Sequence, residues 1–186
     1  MIQIRLHGRG GQGVVTAAEL IAIAAYEDGK QAQAFPSFGV ERTGAPIQAF
    51  ARIDDKPIRT REQVYRPDIL IILDSTLLGM NLAADCEKNI MVIVNTSQPI
   101  KDLKMTFGKE KKPIPEKNIF AADASKIAIE ILGRNLANTT ILGLLAKTGN
   151  TISIDGLKKA IKTKFEEKGK EIVNKNIQAI EKIYKQ

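Results

Sequence analysis

The residues with the clearest chemical spacing are His7-Gly8-Arg9-Gly10-Gly11-Gln12-Gly13. They fit G-x-G-x-x-G through Gly8, Gly10 and Gly13, between a strand-like opening and an apolar helical run. Glycines let a backbone approach a ligand closely, and the helix behind them offers unbonded N–H groups to an anion. Arg9 adds a positive charge. No Lys-Ser/Thr pair follows, so the segment is not a P-loop. A dinucleotide site would also place an acid at the end of the second strand for ribose hydroxyls. That strand ends in Gln33-Ala34-Phe35-Pro36, and Glu41 lies further on in a loop. Phosphate contact and close strand–helix packing both explain the glycines. A second segment runs from Gln33 to Pro46. It holds Phe35, Pro36, Phe38, Gly39, Glu41, Arg42, Gly44 and Pro46 at the carboxyl end of a strand, where open α/β sheets bind ligands. Aromatic and Arg residues there also suit a protein interface.

Other chemistry is excluded by counting. His7 and Cys86 are the sole histidine and cysteine. An Fe–S cluster takes about four thiolates and a zinc site about three or four ligands, so neither fits, and no intramolecular disulfide can form. A Ser-His-Asp arrangement would have to use His7, beside glycines at a strand end. Cys86 reads as a small, half-buried apolar residue. No catalytic or metal-ligating residue is assigned.

The elements that must position these segments alternate in period. Ile2 to Leu6 reads as a strand and His7 to Gly13 as a loop. Val14 to Asp28 reads as a buried helix stopped by Gly29. Lys30 to Phe35 and Ile47 to Ile53 read as strands, the latter turning at Asp54-Asp55-Lys56-Pro57 into a hairpin with Ile58-Arg59. Asp68 to Leu73 and Asn89 to Asn95 read as buried parallel strands, with a short helical stretch from Ser75 to Asp85 between them. Pro99 to Pro115 carries three prolines and reads as a loop or edge. Asn118 to Ala122 adds a strand. A helix opens at Asp123 or Ser125, another is capped by Asn138-Thr139-Thr140, and two amphipathic helices cover Thr151 to Lys168 and Lys170 to Lys185. The prediction is one α/β domain over residues 1–186, with an open, mostly parallel Rossmann-like sheet, helices on both faces and a helical C-terminus.

The chain has 186 residues, 44% hydrophobic and 26% charged, with a formal charge of +7. From Lys158 to Gln186 stand nine Lys and four Glu. Nucleic acid is one reading of that excess. A solvated helix face is the other and is favoured, because Phe165 and Tyr184 fall at apolar helical positions. No apolar run approaches the roughly 20 residues of a membrane span, and Met1 leads directly into a strand. A cytoplasmic protein without a signal peptide is expected.

Five segments in order carry a family resemblance: Gly8-Arg9-Gly10-Gly11-Gln12-Gly13, Ala34 to Pro46, Ala51-Arg52-Ile53-Asp54, Pro67-Asp68 and Asn138-Thr139. Together they resemble the gamma subunit of 2-oxoacid:ferredoxin oxidoreductases, over essentially the whole chain. Gly39-Val40-Glu41-Arg42 is more like the pyruvate branch than the 2-oxoglutarate branch. The resemblance implies a hetero-oligomer that converts pyruvate, coenzyme A and oxidised ferredoxin reversibly to acetyl-CoA, CO₂ and reduced ferredoxin. Thiamine diphosphate, Mg and Fe–S clusters would sit on partner alpha, beta and delta subunits. This chain would bind none of them alone and would be inactive alone. It would act as scaffold and as a dock for the substrate coenzyme A through Arg9, Gly10, Gly11, Gln12, Gly13 and Arg42. Phe35, Pro36, Phe38, Glu41 and Arg42 would face a partner. No nucleic acid or membrane partner is expected. The alternatives are a gamma subunit for another 2-oxoacid, 2-oxoglutarate or 2-oxoisovalerate, or a free-standing Rossmann-type nucleotide-binding protein.

Overall fold

A computed structural model describes residues 1–37, 43–107 and 113–186. Six strands form one sheet: β1 (Ile2–Arg9), β2 (Gln31–Pro36), β3 (Pro46–Asp54), β4 (Ile69–Ile72), β5 (Met91–Asn95) and β6 (Ile119–Ala122), in the order β2-β3-β1-β4-β5-β6. β1, β4, β5 and β6 run parallel, and β3 lies antiparallel between β1 and β2. The helices are α1 (Val14–Glu27), α2 (Ile100–Phe107), α3 (Ala124–Leu132), α4 (Ala137–Thr140), α5 (Leu142–Thr148), α6 (Ile154–Phe165) and α7 (Lys170–Lys185). The α/β class, the parallel centre and the helical C-terminus stand as expected.

Strand alternation divides the core in two. Ile4, Leu6, Ala49, Ala51, Ile69 and Ile71 face α1 and the C-terminal helices, in one large cluster. Leu70, Ile72, Val92 and Val94 face the other way, against Leu103 and Phe107 of α2. Helix α1 stops as its glycine implies: Gly29 has φ 80°, its N–H donates to Tyr26 O, and Lys30 N–H donates to Ala25 O. That is a Schellman motif.

Four local readings are corrected. Strand β1 continues through His7 and Gly8 to Arg9, because β3 pairs beside it as far as Arg9↔Pro46. Ile58-Arg59 forms no hairpin: β3 already has β1 on one edge and β2 on the other. The Pro99–Pro115 stretch contains α2, with Pro99 at its start, where a missing N–H costs nothing. Asn138 lies inside α4, whose N-cap position is Leu136. Asp123 does cap α3, its Oδ1 accepting from Lys126 N–H at 2.8 Å. Ser125 turns to Asn95 instead.

The charge-rich C-terminus folds as α6 and α7 with much of its charge paired. Lys158 meets Glu181 at 2.6 Å, Lys164 meets Glu19 at 2.7 Å, Lys175 meets Glu171 at 2.7 Å and Lys182 meets Glu130 at 2.6 Å. Ile180 and Ile183 are buried between them and the core. No described helix is long and apolar enough to cross a membrane.

Candidate functional site

The carboxyl ends of β1, β4, β5 and β6 meet along one edge of the sheet, and the glycine turn sits there. Gly10 N–H donates to Ala45 O at 2.8 Å and Gly44 N–H to Gly10 O at 3.1 Å, which ties the turn to the start of β3. Gly11 and Gly13 have φ of 92° and 74°. Gly13 is the N-cap of α1 and has no side chain to occupy the N–H groups of the first turn. The glycines differ in what requires them. A Cβ on Gly8 would lie 2.6 Å from Val14 Cγ2, and one on Gly13 would lie 2.4 Å from Asn138 Nδ2. Both glycines serve packing inside the chain. A Cβ on Gly11 would meet only Thr43 Cγ2, at 4.0 Å. Gly11 opens onto a cleft of about 420 Å³ lined by Gly10, Gly13, Val14 and Thr43.

Arg9 and Gln12 are committed to the turn. Gln12 Oε1 accepts from Arg9 N–H at 2.8 Å, and Gln12 Nε2 donates to Asp74 Oδ2 at 2.7 Å. Arg9 donates to Thr76 Oγ1 through Nε at 3.1 Å and Nη2 at 2.7 Å, and to Gly44 O through Nη1 at 3.0 Å. Its Nε lies 3.4 Å from Asp74 Oδ2. Burial favours the neutral acid at Asp74, but bonds from Thr76 and Gln12 and the Arg9 charge outweigh it and hold the carboxyl below its ordinary range. The Arg9–Asp74–Gln12–Thr76 knot fixes the turn against the end of β4. Sequence reasoning missed Asp74 and Thr76, although an acid directly after the apolar run Ile69–Leu73 marks the carboxyl end of a parallel strand.

Beside this knot lies a cleft of about 320 Å³ lined by Asp74, Ser75, Asn95, Thr96, Asp123 and Asn135, among others. Asn95 Nδ2 donates to Leu73 O and Ser125 Oγ, both at 2.9 Å, and its Oδ1 accepts from Ser125 N–H at 3.1 Å. Hydroxyls, amides and two carboxylates make this cleft suited to hydroxyl or amide groups and poorly suited to phosphate. On the other flank of the turn, a groove of about 600 Å³ brings Arg134, Lys168 and Lys175 beside Gly11 and Gly13.

Phe35 and Pro36 lie in β2. Phe35 packs on Phe50, ring centroids 5.2 Å apart, and under Arg52 at 5.0 Å. Phe38, Glu41 and Arg42 lie outside the described residues. His7 is 5% exposed, and its Nε2 has no partner among the described residues. Burial first, then the neighbouring Arg5 charge, pushes it down to about 4, with Asp85 opposing. Buried and neutral, it is no surface acid or base. Cys86 is also buried, at 2% exposed, more deeply than expected. No group of three or more His, Cys, Asp or Glu among the described residues could hold a metal ion. With one buried cysteine, the chain does not fit an Fe–S cluster, and the described residues provide no carboxylate set for the Mg of thiamine diphosphate.

The chain matches the family described as Pyruvate ferredoxin/flavodoxin oxidoreductase over residues 3–186. It is 47% identical over 184 residues to the "Pyruvate/ketoisovalerate oxidoreductases common subunit gamma" of Thermococcus litoralis, covering 98% of this chain and 97% of the relative. It is 47% identical over 180 residues to the pyruvate synthase subunit PorC of Methanothermobacter marburgensis, covering 96% and 93%. The crystal structure of the pyruvate oxidoreductase subunit PORC of Thermotoga maritima superposes with a TM-score of 0.83 at 32% identity, covering 100% of this chain and 96% of that one. The glycine turn, the mixed sheet and the C-terminal helices are thus those of an oxidoreductase subunit, and the chain belongs to the pyruvate ferredoxin/flavodoxin oxidoreductase family.

Proposed function

We propose that this chain is the gamma subunit of a pyruvate:ferredoxin oxidoreductase, working in the cytoplasm with alpha, beta and delta subunits. The observation that carries the reading is near-full-length identity of 47% to gamma-type subunits. Thiamine diphosphate and Fe–S clusters on the partners would supply the carbanion and one-electron chemistry of pyruvate oxidation and hand electrons to ferredoxin. This chain supplies rigid surface. A pull-down of the tagged chain from its source cell, with mass spectrometry of its partners and an assay of pyruvate- and coenzyme A-dependent reduction of an acceptor, tests this. A chain that co-purifies with no 2-oxoacid oxidoreductase subunit refutes it. One observation favours a second reading. The Thermococcus litoralis relative is named as common to two oxidoreductases at the same identity as the pyruvate synthase subunit. A shared subunit would recover two different catalytic partner sets, one acting on 2-oxoisovalerate. A free-standing Rossmann-type protein is disfavoured, since β3 stands between β1 and β2 and moves the second strand's end one spacing, about 4.8 Å, away from the turn.

Within that assembly the chain docks coenzyme A at Gly10, Gly11, Gln12 and Gly13, with Arg9 and Arg42 contributing charge. The open cleft at Gly11 and the uncapped start of α1 support this. A phosphate there would share the Arg9 charge with Asp74. Arg9→Ala is expected to raise the KM for coenzyme A by roughly 5- to 150-fold and leave that for pyruvate nearly unchanged. An unmoved coenzyme A KM removes the dock and leaves the subunit reading intact. Phe35, Pro36, Phe38, Glu41 and Arg42 remain the proposed contact with a catalytic subunit.

A further inference from the structure

Residues 57–66 form neither helix nor strand, yet they are held firmly. They cross the face of the sheet that α1 does not cover. Val64 is buried beneath them at 2% exposed. Two arginines rising from that face take their carbonyls: Arg52 donates to Glu62 O, and Arg5 donates to Tyr65 O at 3.2 Å. Arg5 also holds Leu82 O at 2.8 Å and both oxygens of Asp85, at 2.8 and 2.7 Å. Gln63 Nε2 donates to Ser37 Oγ at 3.3 Å, which ties the strap to the end of β2.

The strap turns its own cations outward. Arg59, Arg61 and Arg66 are exposed, Tyr65 is 65% exposed, and none of these side chains has a partner among the described residues. Three flanking acids are engaged elsewhere, Asp54 with the N-terminal amine at 3.3 Å, Asp55 with Lys30 at 2.5 Å and Asp68 with Gln3 N–H at 2.8 Å, so three arginines stand against one exposed acid in the strap, Glu62. The chain has eight arginines against twenty lysines, and five of the eight lie in this strap or the face beneath it. Arginine differs from lysine in its planar fork, which binds a carboxylate through two parallel hydrogen bonds. Between strap and β2 lies a cleft of about 470 Å³ lined by Gln33, Phe35, Pro36, Arg61 and Gln63. Among the described residues, no strand pairs with the outer edge of β2.

We infer that residues 57–66 and the adjoining edge of β2 form a docking surface for a carboxylate-rich segment of a partner polypeptide. The segment lies along the strap, places acidic side chains on Arg59, Arg61 and Arg66, and packs on Tyr65. Charge complementarity selects an acidic partner. Protein is favoured over nucleic acid because a single exposed aromatic offers little for base stacking, whereas Arg and Tyr together are the side chains that carry protein interfaces. The inference rests on the chain being a subunit of a larger enzyme.

The test is reconstitution of the oxidoreductase from the full chain and its purified partner subunits, with the dissociation constant measured at about 50 and 300 mM salt. Arg59→Glu/Arg61→Glu/Arg66→Glu is expected to weaken assembly roughly 10- to 100-fold at low salt and to flatten the salt dependence. The milder Arg→Gln triple variant should move the same way with a smaller effect, and it keeps the test valid if charge reversal impairs folding. Lys101→Glu/Lys162→Glu/Lys170→Glu changes net charge equally at exposed positions elsewhere and should assemble like the parent chain. The inference is overturned if both arginine variants assemble with parental affinity and salt slope. It is overturned equally if a 20-nucleotide single-stranded RNA binds the parent chain with a steep salt slope that the triple variants lose. A parent chain that assembles with nothing refutes the subunit reading and this surface with it.

Discussion

Gly13→Ala separates the two needs that a positive φ and a close contact place on one glycine. At φ 74° and ψ 33° an alanine sits in the left-handed region, which costs about 1–2 kcal/mol. A stiffer unfolded chain returns about 0.4–1 kcal/mol of that. The contact adds more. The new Cβ would lie 2.4 Å from Asn138 Nδ2 and 2.9 Å from its Cγ. Asn138 is 6% exposed and donates to Gly13 O at 3.2 Å, so it cannot withdraw without losing a buried bond of about 0.5–1.5 kcal/mol. Overpacking costs about 1–3 kcal/mol in addition. The total is about 3–4 kcal/mol. Gly29 is the built-in control: its φ is 80°, and a Cβ there meets nothing within 4 Å. Gly29→Ala should cost about 1 kcal/mol, through strain alone. Urea unfolding of the purified chain, followed by circular dichroism, reads both. Asn138→Ala completes a double-mutant cycle: it should destabilise the parent by about 1–2 kcal/mol and the Gly13→Ala chain by little or nothing, a coupling of about 1–2 kcal/mol. Equal losses for the two glycine variants, or full additivity of Asn138→Ala, would refute the contact argument. The glycine would then be required by φ alone.

Two further expectations concern the face beneath the strap. His7, the only histidine, is pushed down to about 4 by burial and by Arg5. Because that lies below its unfolded value of about 6.5, the unfolded chain binds more protons in between. Stability is therefore full above about pH 6.5, falls by up to about 3 kcal/mol as pH drops toward 4, and loses nothing more to His7 below that. A stability profile that stays flat from pH 7 to 4.5, or a slope that survives His7→Leu, would contradict this. Arg5→Met removes four hydrogen bonds that join β1 to Tyr65, Leu82 and Asp85. A cost of about 2–4 kcal/mol is expected, with Asp85 half exposed and free to rehydrate. Trypsin should also cut faster after Arg59 and Arg61, and an unchanged cleavage rate would show that Arg5 does not hold the strap.

Much of the fold was legible because its signals are local. The runs Ile69–Leu73 and Ile90–Val94 are too apolar and too β-branched for anything but central strands, and Gly29 closes α1 without help from the rest of the chain. What escaped depends on neighbours distant in sequence. Nothing in Ile47 to Ile53 says that it will slot between β1 and β2, and that placement alone lengthens β1 to Arg9 and denies Ile58-Arg59 a partner. At the site, the glycine spacing correctly located the turn but could not apportion its glycines. Only the positions of Val14 and Asn138 show that Gly8 and Gly13 serve packing while Gly11 faces open space. Arg9 looks available in the sequence because its partners Asp74 and Thr76 lie more than sixty residues on, beyond the end of a different strand.

The disposition of charge fits a subunit that acts by contact. Arg5, Arg9, Gln12 and Asp74 spend their hydrogen-bonding capacity on holding segments of their own chain together. His7 and Cys86, the two side chains most capable of acid–base or redox work, are buried on the same side of the sheet as Arg5. Two features that the described residues present outward are of another kind: backbone N–H groups at the start of α1, and a row of arginines pinned in place from beneath. The first can receive an anion and the second carboxylates, and neither makes or breaks a covalent bond. Such a surface gains its use when another polypeptide brings the reacting groups to it. That is the physical reason to seek this chain's activity in the assembled oxidoreductase.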